Sequence, residues 1–507
     1  MGVRDFTVYD MIHRNAQIYA ERDAVVFGDR RITYGQFRQK CDSVAGGLHD
    51  AGVKKGDRIG VVAHNSDEFL ILYGAAAKLG AIVVPVNWRF QPSEVEYVLK
   101  DVTPRLVFAG PQYTQTVKEA VSGIPSVEGL YTIGGGEPDG DFSPFSSLDR
   151  HPSTSPPEVE DSELGYVIIH TAAVEGRPRG ALLSQSNVIH SSLLMMSQHK
   201  LTPDDCHIGV LPLFHVAGLS LTMATFHAGG KNVILERFDA KAALELIRDE
   251  RGTVLFNFAP ILSMLLDNYE EGKDDLSSLR LVLGLDRREN IERFLRIAPH
   301  TKFWAGFGQT EAMGVSGCPM DERPGSAGKP SPISRVILVD EYDREVPVGE
   351  PGEICVRSPT VFLGYWGREE DTAYTFRGGW HHTGDIGRLD EEGYLWYVKR
   401  KAEKELIKPG GENVYPAEVE KTILEHGAVS EVCVIGVPDP QWGEAIKAVC
   451  VLKPGQKVEP QEIIDFVASR IARYKKPKHV VFVESLPKRP DGAVDREKVK
   501  AQHGGRY

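Results

Sequence analysis

Cysteine is scarce in this chain of 507 residues: the six present, Cys41, Cys206, Cys318, Cys355, Cys433 and Cys450, are scattered and form no Cys-x-x-Cys pair. That spacing excludes a disulfide framework or a thiolate zinc site and points to a reducing compartment. Long apolar runs are missing too. The longest, Ile59 to Val86, is interrupted by Asp67, Glu68 and Lys78, so it does not read as a bilayer span. Met1 to Phe6 lack the apolar stretch of a signal peptide, and Phe6 stands where a myristoylation motif after Gly2 needs Ser or Thr. Positive charge is in deficit: 59 Lys and Arg against 71 Asp and Glu leave a net charge of −12. Such a balance is poor for gripping nucleic acid or an anionic membrane. No internal repeat is visible. The expectation is a soluble, cytoplasmic protein.

What is present is an ordinary globular composition, 41% hydrophobic and 26% charged, with 51 Gly and 31 Pro. It can bury a sizeable core and, at roughly 150 residues per domain, suggests about three domains. The charge is unevenly spread. From Lys399 to Tyr507 there are 20 basic and 16 acidic residues, so this tail carries +4 and residues 1–398 carry −16. In the first 150 residues, "GDRIGVVA" (Gly56–Ala63) is a turn feeding a strand, Phe69–Leu79 reads as a helix and Ala81–Val86 as a strand. This rhythm predicts a parallel sheet covered on both faces. Gly134 to Pro157, rich in Gly, Ser, Pro and Asp, is a surface connection. Strands are then expected at Tyr166–Ile169, Ile208–Leu213, Val233–Leu235 and Val254–Phe258. From Val336 onward, segments such as "GEICVRS" and "GRLDEEGYLWYVKR" predict antiparallel β with tight turns. After Arg400 come a basic stretch, a helix (Ala417–Glu425), strands (Glu431–Val437 and Ala445–Leu452), a helix (Pro460–Arg473) and a strand (His479–Val483). That is a compact α+β unit of about 100 residues.

Four segments carry chemistry. Tyr166 to Asn187, "YVIIHTAAVEGRPRGALLSQSN", reads as a strand, a glycine loop and a helix, an arrangement that points backbone N–H groups at phosphate. Gly306-Phe307-Gly308-Gln309-Thr310-Glu311 sets a hydroxyl and a carboxylate beside a glycine turn, as a metal–nucleotide site requires. In "WHHTGD", Asp385 follows a tight turn and suits a bidentate grip on ribose hydroxyls. Gly410 to Glu420 joins a glycine loop to a capped helix. Taken singly, Thr310 and Asp385 also read as turn or cap residues, and Glu418 and Glu420 as a solvated helix start.

In this order and at these separations, the segments resemble the adenylate-forming superfamily of acyl-CoA synthetases, peptide-synthetase adenylation domains and luciferases. The resemblance runs essentially the whole length, from "ITYGQF" (Ile32–Phe37) through "LPLFHVAG" (Leu211–Gly218) to "GVPDPQWGE" (Gly436–Glu444). It implies an α/β fold. A large multilobed N-terminal domain (1–399), with two parallel-type sheets, helices and a small β-barrel-like lobe, would precede a small mobile α+β C-terminal lid (400–507). It also implies a two-step reaction: a carboxylate attacks the α-phosphorus of Mg-ATP, releasing pyrophosphate, and a thiol, usually of coenzyme A, then displaces AMP from the acyl-adenylate. Enzymes of this kind mainly position reactants and neutralise charge.

Position by position, the resemblance implies that Thr310 touches the α-phosphate and that Glu311 holds Mg2+. Thr171, Gly176, Arg179 and Gly180 belong to the phosphate loop. Gly284 lies at the adenine strand end, and Gly306, Phe307, Gly308 and Gln309 form the floor beside adenine and the acyl group. Asp385 and Arg400 reach the ribose. His215 borders the acyl pocket and the thiol approach, with a satisfied core histidine as the competing reading. Lys408, Gly410 and Gly411 match the loop lining the pantetheine tunnel. The apolar "GLSLTMATF" (Gly218–Phe226) is expected near the acyl pocket.

The chain departs from the family pattern in several places. The phosphate loop usually reads Thr-Ser-Gly-Thr-Thr-Gly-x-Pro-Lys-Gly, but here Ala172, Ala173 and Val174 replace hydroxyl or glycine positions and Glu175 adds an acid. Arg179 for Lys keeps a phosphate-binding cation. Leu285 is bulkier than the family norm, and the pivot lies among Lys399, Arg400 and Lys401. The largest departure is in "LPKRPDGAVDREKVK". Pro487, Lys488, Gly492 and Arg496 are kept, but Ala493 occupies the place of the catalytic Lys that bridges carboxylate and α-phosphate. Removing that ammonium severely slows adenylation and spares thioester formation. The intact surroundings favour an engineered Lys→Ala over a natural loss.

The sequence thus points to an ATP-dependent acid–CoA ligase for a hydrophobic monocarboxylate, fatty or aromatic, using ATP, Mg2+ and coenzyme A. A carrier-protein-loading adenylation enzyme and a non-catalytic nucleotide-binding sensor are the rivals. The expected partners are small molecules, and a homodimer is left open. The basic residues Lys399, Arg400, Lys401, Lys475, Lys476 and Lys478 would close a basic lid over an acidic body, as capture of polyanions requires.

Overall fold

Local chemistry around the segment following Val62 shows how the scaffold is set. Ser66 accepts the Phe69 amide at 3.1 Å, Asp67 and Glu68 fill the first turn, and Gly80 ends the helix Asp67–Leu79 at φ 68°. Cap, first-turn acids and left-handed glycine are the signals that start and stop a helix. Nearly every residue of this helix is buried, as expected for one that is apolar all round. Its core joins strands of one sheet to Leu213, Leu219, Phe226 and Ile234 from the lobe of another. The computed structural model describes residues 3–135, 140–151, 155–171, 178–400, 406–489 and 492–505.

Two large mixed sheets form the body. The eight-stranded one is parallel through Ile82–Pro85, Arg58–Val62, Leu106–Ala109 and Gly129–Thr132, and Gly165–Thr171 joins it beside Ile82–Pro85. The nine-stranded one is parallel from Asp23–Phe27 through Lys231–Ile234, Cys206–Gly209, Val254–Phe258 and Leu281–Leu285 to Lys302–Gln309. The strand expected over Ile208–Leu213 ends at Gly209. A four-stranded antiparallel sheet, Arg335–Val339, Pro351–Arg357, His381–Leu389 and Leu395–Arg400, makes the third lobe. The small C-terminal domain sets Val429–Asp439, Gly443–Leu452 and His479–Phe482 against the helices Pro416–Leu424 and Pro460–Ala468. Its second helix stops short of the expected Arg473. A turn over Arg473–Lys475 follows instead.

One expectation is corrected here. The segment after Gly165–Thr171 does not pass into a helix: Arg179–Ser184 returns antiparallel to it, pairing Thr171 with Arg179 and His170 with Gly180. The helix Gln185–His199 starts only after that second strand, so its N-terminus is separated from the loop by a whole strand. The residues "RGALLS" read as a loop running into a helix, yet they pair as a strand.

The C-terminal domain docks over the body through specific polar contacts. Lys475 Nζ lies 2.6 Å from both Glu94 of the body and Glu418 of its own domain. Arg89 pairs with Glu412, and Arg287 donates to the main-chain oxygens of Asp439 and Pro440. All six cysteines are free and buried. Among the described residues no helix is long and apolar enough to cross a membrane.

Candidate active site

The hairpin of Lys302–Gln309 and Ala312–Pro319 carries Thr310 and Glu311 at its tip, with an irregularity in pairing between Phe307 and Gln309. Glu311 Oε1 accepts from Thr171 Oγ1 at 2.7 Å and from the Tyr365 hydroxyl at 3.1 Å. Burial, then the nearby carboxylate, raises the Tyr365 hydroxyl far above its ordinary pKa, so it stays a donor. Gln309 donates to the Thr383 carbonyl at 3.0 Å and to the Asp385 carboxylate. Asp385 is fully buried and sits opposite Arg400, whose Nε reaches it at 2.9 Å. The cross-strand register of the antiparallel lobe thus places the two sequence-predicted ribose residues together.

Gln309, Thr310, Glu311, Tyr365 and Arg400 line one cavity of about 570 Å3 with Thr171, Arg179, His215, Gly284, Leu285, Gly306, Phe307, Gly308 and Lys408, whereas Asp385, expected to grip the ribose, is buried behind Arg400 and does not reach its wall. Gly284 is there for close approach: at φ 122°, an added Cβ would stand 1.7 Å from the Asn257 oxygen of the adjacent strand. Arg179 stacks on the Tyr365 ring at 3.9 Å and pairs with Asp371 at 3.2 Å. Gly180 lies in the strand, where a Cβ would meet Ile168 at 2.6 Å, and packs rather than lines the cavity. Gly176, Ala172, Ala173, Val174, Glu175 and Lys401 lie outside the described residues.

His215 caps the helix Val216–Ala228, its Nδ1 accepting from the Ala217 amide at 3.3 Å. It lines the main cavity and both neighbouring ones, and so marks their junction. Desolvation lowers its pKa, with Glu412 opposing, so it is a neutral imidazole there. Of the apolar stretch Gly218–Phe226, only Ser220 lines the cavity. The remainder packs into cores on both sides, as an all-round apolar helix must.

The C-terminal domain completes the enclosure. Lys408, Asn413, Tyr415, Trp442 and Glu444 face the main cavity. Its enclosed setting and Arg400 lower the Lys408 pKa. Pro409–Gly411 forms a turn in which Gly410 has φ 60° and its amide donates to the Trp442 carbonyl at 2.9 Å. Gly410 borders a third cavity of about 880 Å3 whose wall carries Arg89, Arg237, Arg473, Lys476 and Lys478 interspersed with Glu236, Asp239, Glu412 and Glu444. Lys475, expected at the lid edge for phosphate capture, is instead buried between two carboxylates. The helix after the glycine turn has Pro416 at its start and no side-chain cap, contrary to the expected capped form. Ala493 lies in a separate turn, its carbonyl accepting the Arg489 amide at 2.8 Å, and it lines none of these three cavities.

Sequence reasoning missed Tyr365, Tyr415 and Trp442, which face the cavity from three different segments. It also missed the stripe Ser191, Leu194, Met195, Gln198 and His199 on one helix. The i, i+3, i+4, i+7, i+8 spacing of that stripe was the available signal.

A buried Asp385–Arg400 pair beside a hairpin tip that presents a hydroxyl and a carboxylate to the cavity fits a nucleotide-dependent acyl-activating enzyme of the adenylate-forming class. Family comparison agrees: the AMP-binding enzyme pattern matches residues 12–366 and the AMP-binding enzyme C-terminal domain pattern matches residues 418–493. The chain belongs to the AMP-binding enzyme family, in its acyl-CoA synthetase branch. A feruloyl-CoA synthase from an Amycolatopsis species is 33% identical, over 97% of this chain and 98% of its own length. An indoleacetate–CoA ligase from Aromatoleum aromaticum is 32% identical over 97% of each chain. The solved amide bond synthetase McbA from Marinactinospora thermotolerans superposes with a TM-score of 0.88 at 26% identity, covering 98% of this chain and all of its own.

Proposed function

We propose that the protein is an ATP-dependent acid–CoA ligase that activates a hydrophobic fatty or aromatic carboxylate through an acyl-adenylate, releasing pyrophosphate and then AMP. The observation that carries this reading is the cavity lined by Arg400, Thr310, Glu311 and His215, with Asp385 buried behind Arg400, and its junction at His215 with the cavity that the glycine turn of the C-terminal domain borders. In the first step, Asp385 and Arg400 hold the ribose and Thr310 with Arg179 orients the phosphates for in-line attack by the acid. In the second, the thiol enters past Gly410 and His215, while Arg237, Arg473 and Lys476 on the wall of the adjoining cavity receive the phosphates of coenzyme A.

Mg2+ fits the donor set at the hairpin tip: one carboxylate, Glu311, whose Oε1 is oriented by Thr171 and Tyr365. A single carboxylate shared with substrate phosphates is the usual magnesium arrangement, and the ion would neutralise phosphate charge. Glu311, with Thr310 beside it, is the residue that would hold it.

We take the boundary to be 399/400 and the C-terminal domain to swing about it. The docked arrangement, with the glycine turn against the cavity and Ala493 away from it, supports assignment to the thioester-forming step. Ala493 then blocks the other step, because the family ammonium is absent. Its kept neighbours Pro487, Lys488, Gly492 and Arg496 favour a deliberate Lys→Ala replacement. The test is AMP release by the Ala493→Lys variant with ATP, CoA and a panel of fatty and aromatic acids. CoA-dependent AMP release supports the ligase. Acid-dependent pyrophosphate release without CoA use assigns carrier loading instead, and neither product means a non-catalytic nucleotide sensor.

A further inference from the structure

The cation expected to meet the ATP phosphates is already engaged by an acid of this chain. Arg179 opens the strand Arg179–Ser184 and lines the main cavity with Thr171, Thr310 and Glu311. Its guanidinium lies 3.9 Å over the centre of the Tyr365 ring, and its Nη1 stands 3.2 Å from Asp371 Oδ2. The Tyr365 hydroxyl, at the edge of the same ring, donates to Glu311 at 3.1 Å. Stacking on an aromatic face suits a planar guanidinium. It holds the positive charge beside the very side chain that orients the carboxylate expected to carry Mg2+.

Asp371 is fixed relative to that ring. It lies in the first turn of the helix Glu369–Thr375. Its neighbour Thr372 accepts the Tyr365 amide at 2.9 Å through Oγ1, which donates in turn to the Arg368 carbonyl at 2.8 Å. The acid and the ring that Arg179 touches are therefore tied together through one hydroxyl. The two charges differ in exposure: the Arg179 side chain is 12% exposed and that of Asp371 45%. Arg179 belongs to the cavity wall, and Asp371 stands outside it, half in water. Such a pair exchanges readily. A carboxylate half in water loses little when it swings away, and a phosphate offers a guanidinium the same paired oxygens with more charge.

We propose that Asp371 is a built-in counter-ion that competes with the β- and γ-phosphates of ATP for Arg179, yields the guanidinium to them on binding and reclaims it as pyrophosphate leaves. Asp371 then sets the discrimination between ATP and AMP, because AMP ends at the α-phosphate assigned to Thr310 and does not call on Arg179. The inference rests on the ligase reading and adds a regulatory contact to the same site. An acid in the first turn of a helix also has a purely local use, in complementing the helix dipole, and the neighbouring Glu369 serves as the control for it.

The test is calorimetric titration of the unaltered chain and of Asp371→Asn with Mg-ATP and with AMP, in the absence of a carboxylic acid. Asparagine keeps the shape of the side chain and removes its charge. Mg-ATP is expected to bind about fivefold more tightly to Asp371→Asn, with AMP unchanged within about 1.5-fold. Glu369→Gln, which removes a second acid of the same turn, is expected to leave Mg-ATP affinity within about 1.5-fold of the unaltered chain. In an Arg179→Met background, Asp371→Asn is expected to add less than about 1.5-fold, because the pair is already broken. Equal Mg-ATP affinity with and without Asp371 overturns the proposal, and so does an equal gain for AMP. A gain of the same size in Glu369→Gln, or one that survives Arg179→Met, assigns the effect to the general field of the acids and overturns it too. Turnover is read separately, as CoA-dependent AMP release by Ala493→Lys. Turnover without the gain in Mg-ATP affinity removes this inference alone, and the gain without turnover removes the ligase reading alone.

Discussion

Asp385 concentrates three hydrogen bonds on one buried carboxylate, from Gln309, Arg400 and the Tyr397 hydroxyl. Charge-assisted bonds of this kind contribute about 1.5–3 kcal/mol each. Asp385→Ala is therefore expected to weaken AMP binding by about 10- to 100-fold, measured by calorimetry. Arg400→Ala should cost a similar amount and, in the double variant, less than the sum, because the two groups act as a pair. The gathering of Thr310, Glu311 and Arg400 at one cavity, with Asp385 buried against Arg400, was legible in the sequence because each sits in a short, ordered string whose neighbours are also diagnostic. His199 was not. Its place on the cavity wall depends on which face of the helix Gln185–His199 points inward, and only three-dimensional packing decides that.

At the scale of elements, strand-helix-strand rhythm located six of the seventeen strands of the two large sheets within a few residues, those whose apolar runs are bounded by clear turn residues. The hairpin of Gly165–Thr171 and Arg179–Ser184 escaped. A glycine-rich loop next to a helix N-cap carries the same local signals whether or not a short strand intervenes, so the pairing partner decides. The docking of the C-terminal domain was equally invisible. Lys475 is 3% exposed between Glu94 and Glu418, and the Lys475 pKa is raised by those carboxylates against the desolvation of burial. Removing one partner of such a buried set leaves uncompensated charge and costs about 3–5 kcal/mol. Lys475→Met is therefore expected to undock the domain, seen as faster amide exchange across residues 409–424; unchanged exchange would mean that the triad holds nothing. At Gly410, where an added Cβ would sit 2.7 Å from the Trp442 ring and φ is 60°, Gly410→Val should narrow the thiol entrance. The expected result is a raised KM for CoA of about tenfold with AMP affinity unchanged.

For the whole molecule, the split between an acidic body and a basic tail takes on a different meaning once the domains are seen together. Part of the tail's positive charge is consumed in docking, through the Lys475–Glu94 pair, part in the Lys478–Asp439 pair inside the C-terminal domain, and part faces the large cavity from Arg473 and Lys476. Stability should follow buried histidines. His199, His207 and His227 each have a pKa lowered by burial from 6.5 to about 4. As pH falls below about 6.5 the unfolded chain takes up these protons and the folded chain does not until about 4, so stability is full above that window and is lost across it. At pH 5 the loss is about 2 kcal/mol per histidine. The thermal midpoint is expected to drop between pH 7 and pH 5, and to drop less in His227→Phe.

The most direct measurement separates the two half-reactions in the unaltered chain and in Ala493→Lys. Acyl-adenylate formation from acid and Mg-ATP is followed by pyrophosphate release, and thioester formation by adding CoA to preformed acyl-adenylate. If the missing ammonium is what limits this enzyme, restoring it accelerates the first step by about 100-fold or more and changes the second by less than about threefold. Equal first-step rates in the two proteins, or a thioester step that needs the restored lysine, would contradict the account.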